Sequence, residues 1–166
     1  IIKKCLSNRQ FGCVLNNKLK HKSISSNYKF NEFGSLLGLA ELKRVDERIK
    51  KRNLIANRYF KNLKDNKNFN LLMPRKNSLC NFYKFIIVPK SSRKIISDTL
   101  KKRNISITGG VYYIPLHLQP IYKNVSKYKY PITEYFCKKH VCLPCYPEMK
   151  LKDVDIVCKV LNSNFK

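Results

Sequence analysis

The 166-residue sequence has no tryptophan, five glycines and very little negative charge: 10 Asp and Glu stand against 35 Lys and Arg. No acid precedes Glu32, whereas Lys3, Lys4, Arg9, Lys18, Lys20, Lys22 and Lys29 do. No apolar run approaches the roughly 18 residues of a membrane-spanning helix, and the opening "IIKKCLSNRQ" lacks the apolar core of a secretory signal. With no export signal in view, an odd number of cysteines, seven, argues against a disulfide framework. The chain therefore reads as a cytoplasmic polypeptide with reduced thiols.

What is present is a 43% hydrophobic chain long enough for one domain, or for a small domain plus a long element of another. Its net charge of +25 raises the question of nucleic acid or an anionic surface as partner. The basic residues are mostly lysines spread among Asn and Ile, with no arginine tract, repeat or basic-aromatic platform. Nucleic-acid binding is thus a secondary expectation.

Residues 1–25 have weak periodicity and read as a helix end followed by a loop. From Asn31 onward, Phe33, Leu36, Leu37, Ala40, Leu42, Val45, Ile49, Ala56, Tyr59, Phe60 and Leu63 recur at steps of three and four. That spacing predicts a long amphipathic helix, or two helices in near continuity, capped by Asn31. "DNKNFN" (65–70) closes it, and "MPRKNS" (73–78) links to a strand, "FYKFIIV" (82–88), stopped by Pro89. Ser91 or Ser92 then caps a helix with Ile95, Ile96 and Leu100 inward. "ISITG" reads as a second strand, and Gly109-Gly110 opens the loop "VYYIPLHLQP". A helix begins at Pro131, "VCLP" is a third strand, and a last helix turns Val154, Val157 and Val160 or Leu161 inward. The expected fold is α+β, with a long helix ahead of a small three-stranded sheet and helices. Boundaries are expected at 1–25, 26–65 and 66–166.

"CKKHVCLPCYP" (137–147) gathers Cys137, His140, Cys142 and Cys145 at spacings that raise a zinc knuckle or a redox Cys-x-x-Cys. On a strand, Cys142 and Cys145 point to opposite faces, and Pro144 hinders the tight turn that would join them. Buried free thiols are the default expectation, with His140 a polar residue at a helix end.

The order of three motifs resembles the DegT/DnrJ family of fold-type-I, pyridoxal-phosphate (PLP) dependent sugar aminotransferases. "SNYKFNEFGSLLGLAELKRVDERIKKRNLIANRYFKNL" (26–63) is similar to its Asn-Tyr-Arg segment and long helix. "ISITGGVYYIPLHLQPIY" (105–122) is similar to its Gly-Val-His-Tyr-x-Pro-Leu-His loop. "CLPCYPEMKLKDVDIV" (142–157) is similar to its Leu-Pro-x-x-Pro strand and closing Asp-Val-Asp helix, where the family has no metal role. The family's Schiff-base lysine, followed by a Gly-Gly pair, has no counterpart here. The resemblance thus implies the carboxy-terminal half of such an enzyme, inactive alone, whether a truncation, a split gene product or a decayed reading frame.

The same resemblance implies site residues. Asn27 would hydrogen-bond the PLP phosphate near a homodimer interface and Lys29 would complement that phosphate or a substrate carboxylate, although Lys29 stands where the family usually has Arg and loses its two-pronged geometry. The alternative is a loop or capping role for Asn27 and a surface role for Lys29. Tyr112, Tyr113 and His117 would form a polar, aromatic wall for a nucleotide-linked keto sugar, with Tyr113 and Leu118 alternatively in the core. Tyr112 replaces the family's usual His, exchanging a group that titrates near neutrality for a phenol with a reference pKa of about 10. No catalytic residue and no metal ligand is expected. The amino donor implied is one such as glutamate. The rival reading from another class is a non-catalytic basic module that binds nucleic acid or another polyanion.

Overall fold

The computed structural model describes residues 1–14, 16–107, 110–122 and 128–165. The chain divides into two compact units, Ile1–Val45 and Asp46–Lys166.

In the first unit, α1 (Ile2–Arg9) leads into an antiparallel pair, β1 (Cys13–Val14) and β2 (Asn17–His21), where a loop was expected. Gly12 sits at φ +70°, and a Cβ there would strike the Ser23 carbonyl, so the turn into β1 requires glycine. The segment after the hairpin is tied to α1 by side chains: Ser25 Oγ donates to the Asn8 carbonyl at 2.7 Å, and Ser23 Oγ donates to Asn8 Oδ1 at 3.1 Å. Polar pairing, invisible to hydrophobic periodicity, therefore fastens this segment to α1. The same unit carries α2 (Glu32–Leu42), whose Gly34 N–H donates to Asn31 Oδ1 at 2.7 Å, the cap expected from sequence.

The long periodic stretch is two helices, α2 and α3 (Val45–Leu63), with a turn at Lys43 and Arg44 between them. In α3 the spacing of Ile55, Ala56, Tyr59 and Leu63 puts all four on one face, and all four are buried. They join a core that also takes Phe85 and Ile87, Ile96 and Leu100, and Val154, Val157, Cys158 and Leu161.

The sheet is antiparallel with order β3–β4–β5: β3 (Phe69–Leu71), β4 (Phe85–Pro89) and β5 (Val141–Leu143). Three strands were expected, but their membership differs. Residues 105–107 of "ISITG" form no strand; Ile105 and Ile107 pack on the core from a loop instead. Thr108 and Gly109 lie outside the described residues. The third strand is β3, in the stretch expected only to close the helix. There, Phe69 and Leu71 supply a two-residue alternation too short to register as a pattern.

α4 (Arg93–Lys101) is capped by Ser92 Oγ, which accepts from the Ile95 N–H at 3.3 Å. Ile96 and Leu100 face inward as expected, but Ile95 is exposed. Ile95 lies 100° around the helix from Ile96, and Ile96 and Leu100, four apart, define the inner stripe. Asn104, in the left-handed region at φ 56°, ends this helix while the Ile105 N–H donates to the Leu100 carbonyl. Pro131 opens α5 (Pro131–Lys139), and α6 (Leu151–Asn164) closes the chain.

Candidate functional site

In the first unit, Asn27 forms an isolated antiparallel bridge with Gln10, and the Tyr28 N–H donates to the Arg9 carbonyl at 3.0 Å. Asn27 Oδ1 accepts from the Lys29 N–H at 3.1 Å, a local Asx-type turn. Both side chains are exposed. With its oxygen used inside the turn, the Asn27 amide offers N–H donors, and Lys29 adds a cation. That donor set suits phosphate oxygens.

In the second unit, the loop from Gly110 to Tyr122 carries Tyr112, Tyr113 and His117, and runs through two short 3-10 turns, Leu116–Leu118 and Pro120–Tyr122. Tyr112 is 71% exposed and Tyr113 50%, and Leu118 is exposed too, so neither Tyr113 nor Leu118 is core. The two tyrosines differ in what holds them. Tyr113 accepts the Gly110 N–H at its hydroxyl and lies under the Arg93 guanidinium, 4.1 Å from the ring centroid. Arg93 also donates to the carbonyls of Cys137 and Lys138 at the end of α5, which fixes the cation from a second side.

His117 is 11% exposed and meets Glu134 Oε1 of α5 through Nε2 at 3.0 Å, with its ring 4.8 Å from that of Tyr130. Glu134 Oε1 also accepts the Tyr130 N–H at 3.2 Å. The His117 hydrogen bond, followed by that from Tyr130, holds the Glu134 carboxyl below the usual carboxylate range. His117 therefore fastens the middle of the loop to α5, while Tyr112 is the ring it presents most fully to solvent.

The cysteine cluster does not converge. Cys137, Cys142 and Cys145 are buried, free thiols, and His140 is the helix-end residue expected but fully buried, with both ring nitrogens hydrogen-bonded to backbone. Burial pushes the Cys142 thiol up, and Cys145 to about 11. Among the described residues no group of three or more His, Cys, Asp and Glu side chains could hold a metal ion. No described helix is long and apolar enough to cross a membrane.

Two residues important to the loop, Arg93 and Glu134, were not singled out from sequence, and His140 was singled out only with the cysteines and as a helix-end residue, not as a partner of the loop. Arg93 looked like an ordinary first-turn cation, and only tertiary packing brings it over Tyr113. Glu134 carried a faint signal, an acid in the first turn of α5 in a chain with so few.

A small antiparallel sheet packed with helices, carrying an ordered aromatic loop, is the architecture of one part of a fold-type-I aminotransferase. The chain matches the DegT/DnrJ/EryC1/StrS aminotransferase family model over residues 1–162, and belongs to that family. It is 30% identical over 152 residues to the UDP-4-amino-4,6-dideoxy-N-acetyl-beta-L-altrosamine transaminase of Helicobacter pylori, covering 87% of this chain and 40% of that one. It is 27% identical over 165 residues to the GDP-perosamine synthase of Escherichia coli O157:H7, covering 96% of this chain and 43% of that one. In fold it is similar to a DegT DnrJ EryC1 StrS aminotransferase from Brucella abortus, with TM-score 0.88, 21% identity, and coverage of 98% of this chain and 43% of that one. The chain thus spans less than half the length of the relatives it matches.

Proposed function

We propose that this chain is the carboxy-terminal part of a PLP-dependent aminotransferase. The enzyme passes an amino group, from a donor such as glutamate, to a nucleotide-linked keto sugar. The observation that carries the reading is the loop 110–122, which offers an outward tyrosine on a frame fixed at Tyr113 and His117. A nucleotide-linked sugar presents apolar ring faces and many hydroxyls, and a polar aromatic wall suits both. The names of the two relatives, one a UDP-sugar transaminase and the other a GDP-perosamine synthase, support the same substrate class.

PLP, when bound, supplies the electron sink for amino transfer. The residues of this chain have narrower tasks. The Asn27 amide donates to a phosphate oxygen of the cofactor, and the Lys29 ammonium balances its charge as a point cation. The Tyr112 hydroxyl binds a sugar hydroxyl and its ring covers a sugar face. Tyr113 and His117 hold the loop in place, the first under Arg93 and the second against Glu134. The resemblance implies that a lysine followed closely by a Gly-Gly pair moves the proton at the substrate carbon, and no lysine here is followed closely by such a pair. The working enzyme is proposed to be a cytoplasmic homodimer in amino-sugar or cell-surface polysaccharide synthesis.

The test is a titration of the 166-residue chain with a nucleotide-linked keto sugar, followed by NMR at the tyrosine rings. Shifts centred on Tyr112 are expected, lost in Tyr112→Ala and weakly dependent on salt. Turnover by this chain alone would overturn the assignment of its chemistry to another part of the enzyme. A steep salt dependence of RNA or DNA binding, with no response to the sugar, would favour the polyanion-binding reading instead.

A further inference from the structure

We propose that His140 is the positioning residue for the loop entrance, holding the Val111 amide through a neutral imidazole whose proton sits on Nδ1. The inference that this matters for substrate rests on the sugar-binding reading of the loop given above; the anchoring itself does not.

The tautomer follows from the partners. Nδ1 lies 2.7 Å from the Phe136 carbonyl oxygen, which can only accept, so Nδ1 carries the proton. Nε2 is then the unprotonated nitrogen, and the Val111 N–H donates to it at 2.8 Å. The ring is fully buried and stacks on Phe136, with centroids 4.7 Å apart and planes 3° apart.

The neighbouring amide is fixed by a different side chain, since the Gly110 N–H donates to the Tyr113 hydroxyl. Two consecutive loop amides are therefore held by two side chains. A Cβ at Gly110 would lie 2.5 Å from His140 Nε2 and 2.6 Å from Tyr113 Cε1, so the approach tolerates only glycine. The direction in which the chain delivers Tyr112 is set here, before any ligand arrives, and an ordered loop spares binding the entropy of ordering it.

The groups around the ring keep it neutral. Burial is the larger cause, and the Arg93 cation adds to it; together they hold the imidazole below its ordinary range. The other titratable groups near this contact are Tyr113, its ring 6.3 Å from that of His140, and the Cys142 thiol, which faces the same Val111 amide and senses Lys84. A protonated ring would turn Nε2 into a donor facing the Val111 donor. Because the folded-state pKa is depressed, the anchor is complete above the unfolded value near 6.5. It is lost as pH falls below that value through the folded one.

The test is amide hydrogen exchange on the 166-residue chain, comparing wild type with His140→Gln and His140→Leu. In His140→Leu, the Val111 amide should exchange roughly tenfold or more faster while amides of β4 and α6 keep their protection. In His140→Gln, Oε1 can reach the Nε2 position, and part of the protection should return. On acidification, wild type should lose Val111 protection beyond the intrinsic pH effect, and His140→Gln should not. Unchanged Val111 exchange in both variants would overturn the proposal, as would imidazole nitrogen shifts showing the proton on Nε2. If the anchor behaves as described but a nucleotide-linked keto sugar leaves Tyr112 unmoved, the positioning of the loop stands and the sugar reading fails.

Discussion

Tyr59 offers a quantitative test of how α3 is joined to the sheet. Its ring is fully buried and stacks on Phe85 at 4.6 Å, and its hydroxyl donates to the Pro144 carbonyl at 3.0 Å, across 85 residues of sequence. Burial raises its pKa far above the ordinary phenol value, so the hydroxyl stays a donor at every practical pH. Tyr59→Phe keeps the ring and removes only the hydrogen bond. Losing a buried partner costs about 1–3 kcal/mol, but Pro144 is only half-buried and water can partly replace the donor. The expected loss is therefore about 1 kcal/mol, a fall in Tm of roughly 4 °C for a unit of this size. Tyr59→Ala also removes the stacked ring and opens a cavity, which costs about 3–5 kcal/mol. Thermal and urea unfolding of both variants, followed by circular dichroism, gives the ratio directly. If Tyr59→Phe were as damaging as Tyr59→Ala, the hydrogen bond would dominate and the packing account of this core would be wrong.

Four further outcomes are expected. Gly110→Ala should displace the loop entrance and accelerate exchange at Val111, because a Cβ there would lie 2.5 Å from His140 Nε2. Asp155 binds Arg58 in a two-pronged pair, both contacts at 2.7 Å, and also accepts from Asn62, which lowers its pKa. The stability it adds is complete above the unfolded value near 4 and disappears as pH falls through the folded one; Asp155→Asn should flatten that part of an acid-unfolding curve. Thiol titration should label the exposed Cys5 first and the half-exposed Cys80 next, with Cys13, Cys137, Cys142, Cys145 and Cys158 reacting only on unfolding. Asn31→Ala should cost α2 about 1 kcal/mol by removing the Gly34 bond, read as lost helicity.

Where one element buries one stripe, the sequence was a good guide. The inward faces of α3 and α6, the Asn31 cap and the Pro131 helix start all follow from periodicity and end chemistry. It misled where the determining contact is distant. Residues 105–107 have the β-branched composition of a strand, yet they pack as a loop. β3 exists because Phe69 and Leu71 meet Pro89 and Ile87, residues about sixteen to twenty positions on. The candidate loop was legible as a motif, and Tyr112 and His117 could be named from it. The parts that hold the loop were not, since Arg93, Glu134 and His140 come from helices whose patterns gave no reason to aim them there.

Arg52 extends this dependence on distance into the order of synthesis. One of its guanidinium nitrogens donates to the carbonyls of Phe82, Tyr83 and Cys145, the last 93 residues downstream. Leu63, Tyr59 and Ala56 on the same helix are likewise covered by residues up to Leu161. A ribosome adding roughly 5–20 residues per second leaves α3 with its apolar face bare for about 5–20 s. During that interval α3 lacks the residues that cover its apolar face in the folded unit. A truncation that removes α6 should therefore leave that face bare for good, because Val154, Val157, Cys158 and Leu161 leave the core with it.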